Sequence, residues 1–147
     1  DQGPEEPDAT RPGRSTELKI LVVEDEFVLR VTLAEVFRSN GHQAYTAVNG
    51  SEGLRWFEQV RPDVVVTDLG MPGMSGIELI GKLRSVAPDA PIVVLTAMAD
   101  GNTKAEAERA GASMFLTKPV SAANLVEILE TKYGRPSRGS DEGIDAV

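Results

Sequence analysis

Apolar residues along this chain fall into short runs of strand length, separated by stretches of helical periodicity. LKILVV (18–23) is the first such run, and FVLRVTLAEVFRSNG after it carries a helical pattern that stops at Gly41. QAYTA (43–47) reads as a weaker strand. Asn49, with Glu52 three residues on, has the form of a capping box opening GSEGLRWFEQV. DVVVTD (63–68) is the second strongly apolar strand, and Ser75 with Glu78 repeats the capping signature ahead of IELIGKLRSV. PIVVLTA (91–97) is the third, followed by a short polar helix, NTKAEAERAG. SMFLT (113–117) is the last strand, and SAANLVEILETKYG an amphipathic helix closed by Gly134.

Five strand–helix units in alternation predict an α/β fold with a parallel sheet. Strands buried on both faces read as unbroken Val, Ile and Leu runs, so the three most apolar, at 18–23, 64–68 and 92–96, are expected at the centre. Right-handed crossovers place helices on both faces. The result is the flavodoxin-like doubly wound sandwich, with strand order 2-1-3-4-5 and its crevice at the carboxyl ends of strands one and three. DQGPEEPDATRPGRST (1–16) and the segment 134–147 lack apolar periodicity and cannot offset their ordering entropy. They are expected to be disordered tails around one ordered domain at 17–133.

Composition removes several function classes. The 147 residues contain no cysteine, which excludes disulfides, zinc–cysteine sites and thiol chemistry and accords with a reducing cytoplasm. A net charge of −8 argues against a nucleic-acid surface, and no apolar run approaches membrane-spanning length. The one histidine, His42, stands beside Gly41 in a turn and is expected to be exposed. The first residue is Asp1 rather than Met, as in a processed product or a fragment, and nothing after Gly134 reads as an output domain.

The chemistry lies at the strand ends. Strand one ends in Glu24, Asp25 and Glu26, strand three in Asp68, strand four in Thr96, and strand five just before Lys118. Singly, each has a plain reading: turn Asp, β-forming Thr, solvated Lys, and Glu26 favouring a helix start through the macrodipole. Jointly they would place Glu24, Asp25 and Asp68 on one rim, where carboxylates raise each other's pKa unless a cation is present. Mg2+ suits such a set, since it takes one or two carboxylates plus waters and phosphate oxygens. Lys118 and Thr96 could each hold a phosphoryl oxygen.

ILVVEDE, VVVTDLGMPGMSG, IVVLTA and FLTKP resemble the four signatures of bacterial response-regulator receiver domains, in particular the chemotaxis-type single-domain receivers. The resemblance spans about Leu18 to Tyr133. It implies a two-component phosphorelay switch, not an enzyme, with Asp68 as phosphoacceptor. Mg2+ (or Mn2+) would be held by Asp25, Asp68 and the Gly70 carbonyl, with Glu24 acting through a water. The resemblance further implies Lys118 as the phosphate-contacting lysine, Thr96 and Phe115 as the switch pair, and a cis Lys118–Pro119 bond. Gly70 and Met98 occupy the positions that tune hydrolysis. The implied partners are a sensor histidine kinase or histidine phosphotransfer protein, and an output partner at helix four, strand five and helix five. Two departures stand out: Glu24 where Asp is usual, and Leu69 where Trp or Met often follows the phosphoacceptor.

Three rivals fare worse. A haloacid-dehalogenase-type phosphatase needs an acid two residues after the nucleophile, where Gly70 stands. A dinucleotide-binding domain needs a Gly-rich turn where this chain has Glu24, Asp25 and Glu26. A receiver-like module that docks without being phosphorylated typically lacks an acidic or lysine position, and all are present.

Overall fold

The computed structural model describes residues 17–98 and 100–134. The expected tails, apart from Gly134, lie outside the described residues. The elements alternate as β1 (Lys19–Val23), α1 (Phe27–Ser39), β2 (Gln43–Ala47), α2 (Gly50–Val60) and β3 (Val64–Thr67), then α3 (Gly76–Val86), β4 (Ile92–Thr96), α4 (Gly101–Ala110), β5 (Met114–Thr117) and α5 (Ala122–Tyr133). All five strands pair in parallel, in the spatial order β2-β1-β3-β4-β5. This is the doubly wound arrangement that the alternating pattern predicts.

Burial follows the strength of each apolar run. Every residue of β3 and β4 is buried, as is β1 beyond Lys19, whereas β2 and β5 are only partly covered. Because successive side chains point to opposite faces, the sheet feeds two cores. Ile20, Val22, Val64, Val66 and Val93 pack with Leu33 and Phe37 of α1 and Leu125 and Leu129 of α5. Leu21, Val23, Val65, Ile92 and Val94 pack with Phe57 of α2, Leu79 and Leu83 of α3 and Ala107 of α4. None of the described helices is long and apolar enough to cross a membrane.

The helix starts follow local chemistry. Asn49 accepts the Glu52 N–H at 2.8 Å, while the Glu52 carboxylate reaches back to the Val48 N–H at 2.8 Å, one residue earlier than a strict capping box requires. Ser75 accepts from Glu78 N–H, Asp100 from Thr103 N–H and Ser121 from Asn124 N–H. Helix α1 is the exception: its N-cap, Glu26, makes no side-chain cap bond.

His42 departs from expectation. It directly follows the turn at Asn40 and Gly41, yet its side chain is 1% exposed and bonded at both ring nitrogens. Leu18 N–H donates to Nδ1 at 3.0 Å, so the ring proton resides on Nε2, which donates to Glu130 Oε2 at 2.7 Å. The sequence context was misleading because both partners are remote, 24 and 88 residues away. His42 thus ties the start of β1 to the last turns of α5, at the end of the sheet opposite the acidic strand ends. We expect His42→Ala to destabilise the fold by about 2–4 kcal/mol in urea denaturation, through lost packing and an orphaned Leu18 N–H. Glu130→Gln, which keeps an acceptor, should cost far less; equal losses would contradict the assigned tautomer.

Candidate functional site

Parallel strands all end on one edge, and β1 lies beside β3, with Val23 opposite Thr67. The residues just past these two ends are therefore brought together. Glu24, Asp25 and Asp68 each present a carboxylate oxygen, and the three oxygens lie within 4.8 Å of one another. Glu24 is buried, Asp68 half-buried and Asp25 exposed. The cluster consists entirely of hard oxygen donors, the chemistry that Mg2+ or Mn2+ takes, with no thiolate or imidazole among them.

Lys118, just past β5, reaches across the same edge. Its ammonium donates to Asp68 Oδ2 at 3.0 Å and to Glu24 Oε1 at 3.1 Å. The other Glu24 oxygen, Oε2, accepts the Glu26 N–H at 3.0 Å, so both of its oxygens are engaged within the protein. Asp68 Oδ1 accepts the Leu69 N–H at 2.6 Å, with the Gly70 N–H at 3.5 Å. The Asp68 carboxylate is thereby oriented from both sides. Lys118–Pro119 is a cis peptide bond, and Lys118 N–H donates to the Thr96 carbonyl at 2.8 Å.

Burial pushes the Glu24 carboxyl above its ordinary value; the hydrogen bonds from Glu26 N–H and Lys118 oppose that shift, and the Asp68 charge adds to it. Burial alone would lower Lys118, but its hydrogen bonds to Asp68 and Glu24 outweigh it and hold the ammonium above its ordinary value. Glu24 contributes fully below pH 4.5 and loses that contribution as pH rises through its folded value, whereas the Lys118 contribution persists to pH 10.5 and fades above it.

Thr96 and Phe115 sit on neighbouring strands, in a register that pairs Thr96 with Thr117 and Val94 with Phe115. Thr96 is buried, and its hydroxyl oxygen accepts the Met98 N–H at 3.2 Å. Phe115 is half-buried against the core shared by α2, α3 and α4. Gly70 is exposed, and a Cβ placed on it would lie 3.3 Å from Met98 Sδ, so the Met98 side chain lies over the loop that follows Asp68.

Three contributors escaped sequence reasoning. Gly76, the first residue of α3, approaches so closely that a Cβ would collide with the Asp68 carbonyl oxygen and Leu69 Cα. The fully buried Thr67 hydroxyl donates to that same Asp68 carbonyl at 2.8 Å. Arg30 donates to the carbonyls of Glu24 and Asp25 at 3.0 and 3.3 Å. A glycine directly after the capping Ser75 was the available signal for the first. Thr67 and Arg30 had none, since Thr in a strand and Arg in a helix are both ordinary.

Residues 20–130 match the family model of the response regulator receiver domain. The chain is 34% identical over 112 residues to the chemotaxis protein CheY of Thermotoga maritima, covering 76% of this chain and 93% of that protein. It is 34% identical over 101 residues to sporulation initiation phosphotransferase F of Bacillus subtilis, covering 69% and 82%. Among solved structures, chemotaxis protein CheY4 of Vibrio cholerae superposes with a TM-score of 0.75 at 29% identity, over 78% of this chain and 98% of that one.

Against burial, the Glu26 N–H and then Lys118 favour the ionised form of Glu24. Lys118→Met should therefore raise the Glu24 pKa further, as read from its carboxyl 13C shift across a pH titration. An unchanged titration would show that the Glu26 N–H alone sustains the charge.

Proposed function

The chain belongs to the response regulator receiver domain family, the switches of two-component signalling, and on that premise we propose that phosphorylation of Asp68 sets its output. The donor is the phosphohistidine of a sensor histidine kinase or histidine phosphotransfer protein, in the cytoplasm, and the switching unit is residues 17–133. The observation that carries this reading is the Asp68 carboxylate beside two further acids, held by Lys118 at 3.0 Å.

An Asp68 oxygen attacks phosphorus as the phosphorus–nitrogen bond of the donor breaks, leaving an acyl phosphate and a neutral imidazole after proton uptake. Leu69 N–H and Lys118 hold the carboxylate in one orientation before the donor arrives. Lys118 is then placed to neutralise a phosphoryl oxygen as charge spreads over the transferring group. Asp25, Asp68 and the Gly70 carbonyl would hold Mg2+ (or Mn2+), which supplies charge neutralisation and alignment of phosphoryl oxygens when bound. Glu24, with both oxygens already engaged, contributes through a water.

Thr96 couples the modification to the surface. Its hydroxyl leaves the Met98 N–H for a phosphoryl oxygen, and Phe115 on the adjacent strand turns inward. Helix α4 is suited to respond, since Ala107 is its one fully buried residue. The face of α4, β5 and α5 is the output surface, while Gly70 and Met98 govern access of the hydrolytic water to the acyl phosphate.

With a small acyl phosphate and Mg2+, the protein should gain the mass of one phosphoryl group, labile to hydroxylamine; Asp68→Asn or EDTA should abolish the gain. Persistence in Asp68→Asn would exclude Asp68 as acceptor. Thr96→Ala should still be phosphorylated, yet amide shifts induced by beryllofluoride should no longer reach Phe115 and α5. One hydrogen bond to a charged group is worth roughly 1.5–3 kcal/mol, enough to shift a two-state population about tenfold or more. Equal propagation in wild type and Thr96→Ala would remove Thr96 from the coupling.

A further inference from the structure

The loop between β1 and α1 carries three consecutive acids, Glu24, Asp25 and Glu26, and it lacks the usual anchor at a helix start, because Glu26 makes no side-chain cap bond. Asp25 itself is exposed, so packing does not hold its side chain. A ligand arranged in this way would sample many orientations, and ordering it would weaken binding of a cation.

The Glu24 carboxylate spans Asp25 by accepting the Glu26 N–H at 3.0 Å, and Arg30 adds a second constraint that uses no carboxylate. One guanidinium nitrogen, Nη1, donates to the Glu24 carbonyl at 3.0 Å and to the Asp25 carbonyl at 3.3 Å. These carbonyls belong to the two peptide planes that flank Asp25 Cα. Their relative orientation is set by the φ and ψ of Asp25. A single donor bridging both therefore fixes those dihedrals and, through them, the direction in which the Asp25 side chain leaves the backbone. No carboxylate of a described residue lies within 4.0 Å of the Arg30 guanidinium, so no ligand oxygen is consumed. The guanidinium is in turn limited by Phe27, one turn earlier on the same face, whose ring lies 5.5 Å from Arg30 Cζ. That contact accounts for Phe27, which is 66% exposed and takes no part in either core.

We propose that Arg30 is the positioning residue of the metal site, pre-orienting Asp25 by bridging its flanking carbonyls without engaging any of the three carboxylates. This rests on the reading of Asp25 and Asp68 as metal ligands.

Positioning and charge act in opposite directions here, and that makes the test decisive. Removing a nearby cation would by itself tighten Mg2+ binding, whereas losing the pre-orientation weakens it. The experiment titrates wild type, Arg30→Met, Arg30→Lys and Asp25→Asn with Mg2+, following amide shifts around Asp68, with melting temperatures taken in EDTA. Arg30→Met should bind Mg2+ about tenfold more weakly, the scale of one hydrogen bond to a charged group, with little change in metal-free melting temperature. Arg30→Lys, which keeps the charge on a shorter stem, should bind with intermediate affinity and carries the test if Arg30→Met fails to fold. Unchanged or tighter binding by both Arg30 variants, with binding lost in Asp25→Asn, overturns the role of Arg30 and leaves the metal site standing. Wild type and Asp25→Asn binding alike would overturn the metal site itself, and the Arg30 proposal with it.

Discussion

Like charge gathered at one end of a parallel sheet governs how this domain is built. Adjacent parallel strands bring Glu24, Asp25 and Asp68 to within 4.8 Å, and burial of Glu24 makes that crowding more costly. Lys118, from the opposite side of the same edge, bonds two of the three carboxylates. One internal cation therefore offsets only part of the repulsion among three carboxylates.

Holding such a cluster in place requires a backbone that cannot relax away from it. The Asp68 main chain is pinned by Asp68 N–H to the Val23 carbonyl, by the Thr67 hydroxyl on its own carbonyl, and by α3 packed so closely that only glycine fits at position 76. The Asp25 main chain is held by Arg30. None of these bonds involves a carboxylate of the cluster. The main chain beneath the cluster is thus fixed by contacts separate from those of its carboxylates.

Rigidity is distributed unevenly around this site. The first three helices and the central strands pack through large buried side chains such as Phe37, Phe57, Leu79 and Leu83. Helix α4 and edge strand β5 are lightly anchored, the helix through Ala107 and its Asp100 cap. Helix α5, by contrast, buries Leu125, Val126 and Leu129 in the core it shares with α1. At the far end of α5 the His42–Glu130 bond holds the helix to the start of β1.

The sequence alone determined the element order, the central strands and the set of strand-end residues, because each depends on local pattern. Unbroken Val, Ile and Leu runs mark strands covered on both faces, and crossover handedness leaves few ways to assemble them. Once that order is known, Glu24, Asp25, Asp68, Thr96 and Lys118 must share an edge. Tertiary structure alone decided what depends on contacts between distant segments. His42 looks like an exposed turn residue until Leu18 and Glu130 close around it. Gly76 shows only its place after the capping Ser75 until α3 settles on the Asp68 carbonyl. Arg30 looks like a solvated helix residue until the loop before it folds back within reach of its guanidinium. In each case the partner is a main-chain group or a remote side chain, and neither leaves a periodic trace in sequence.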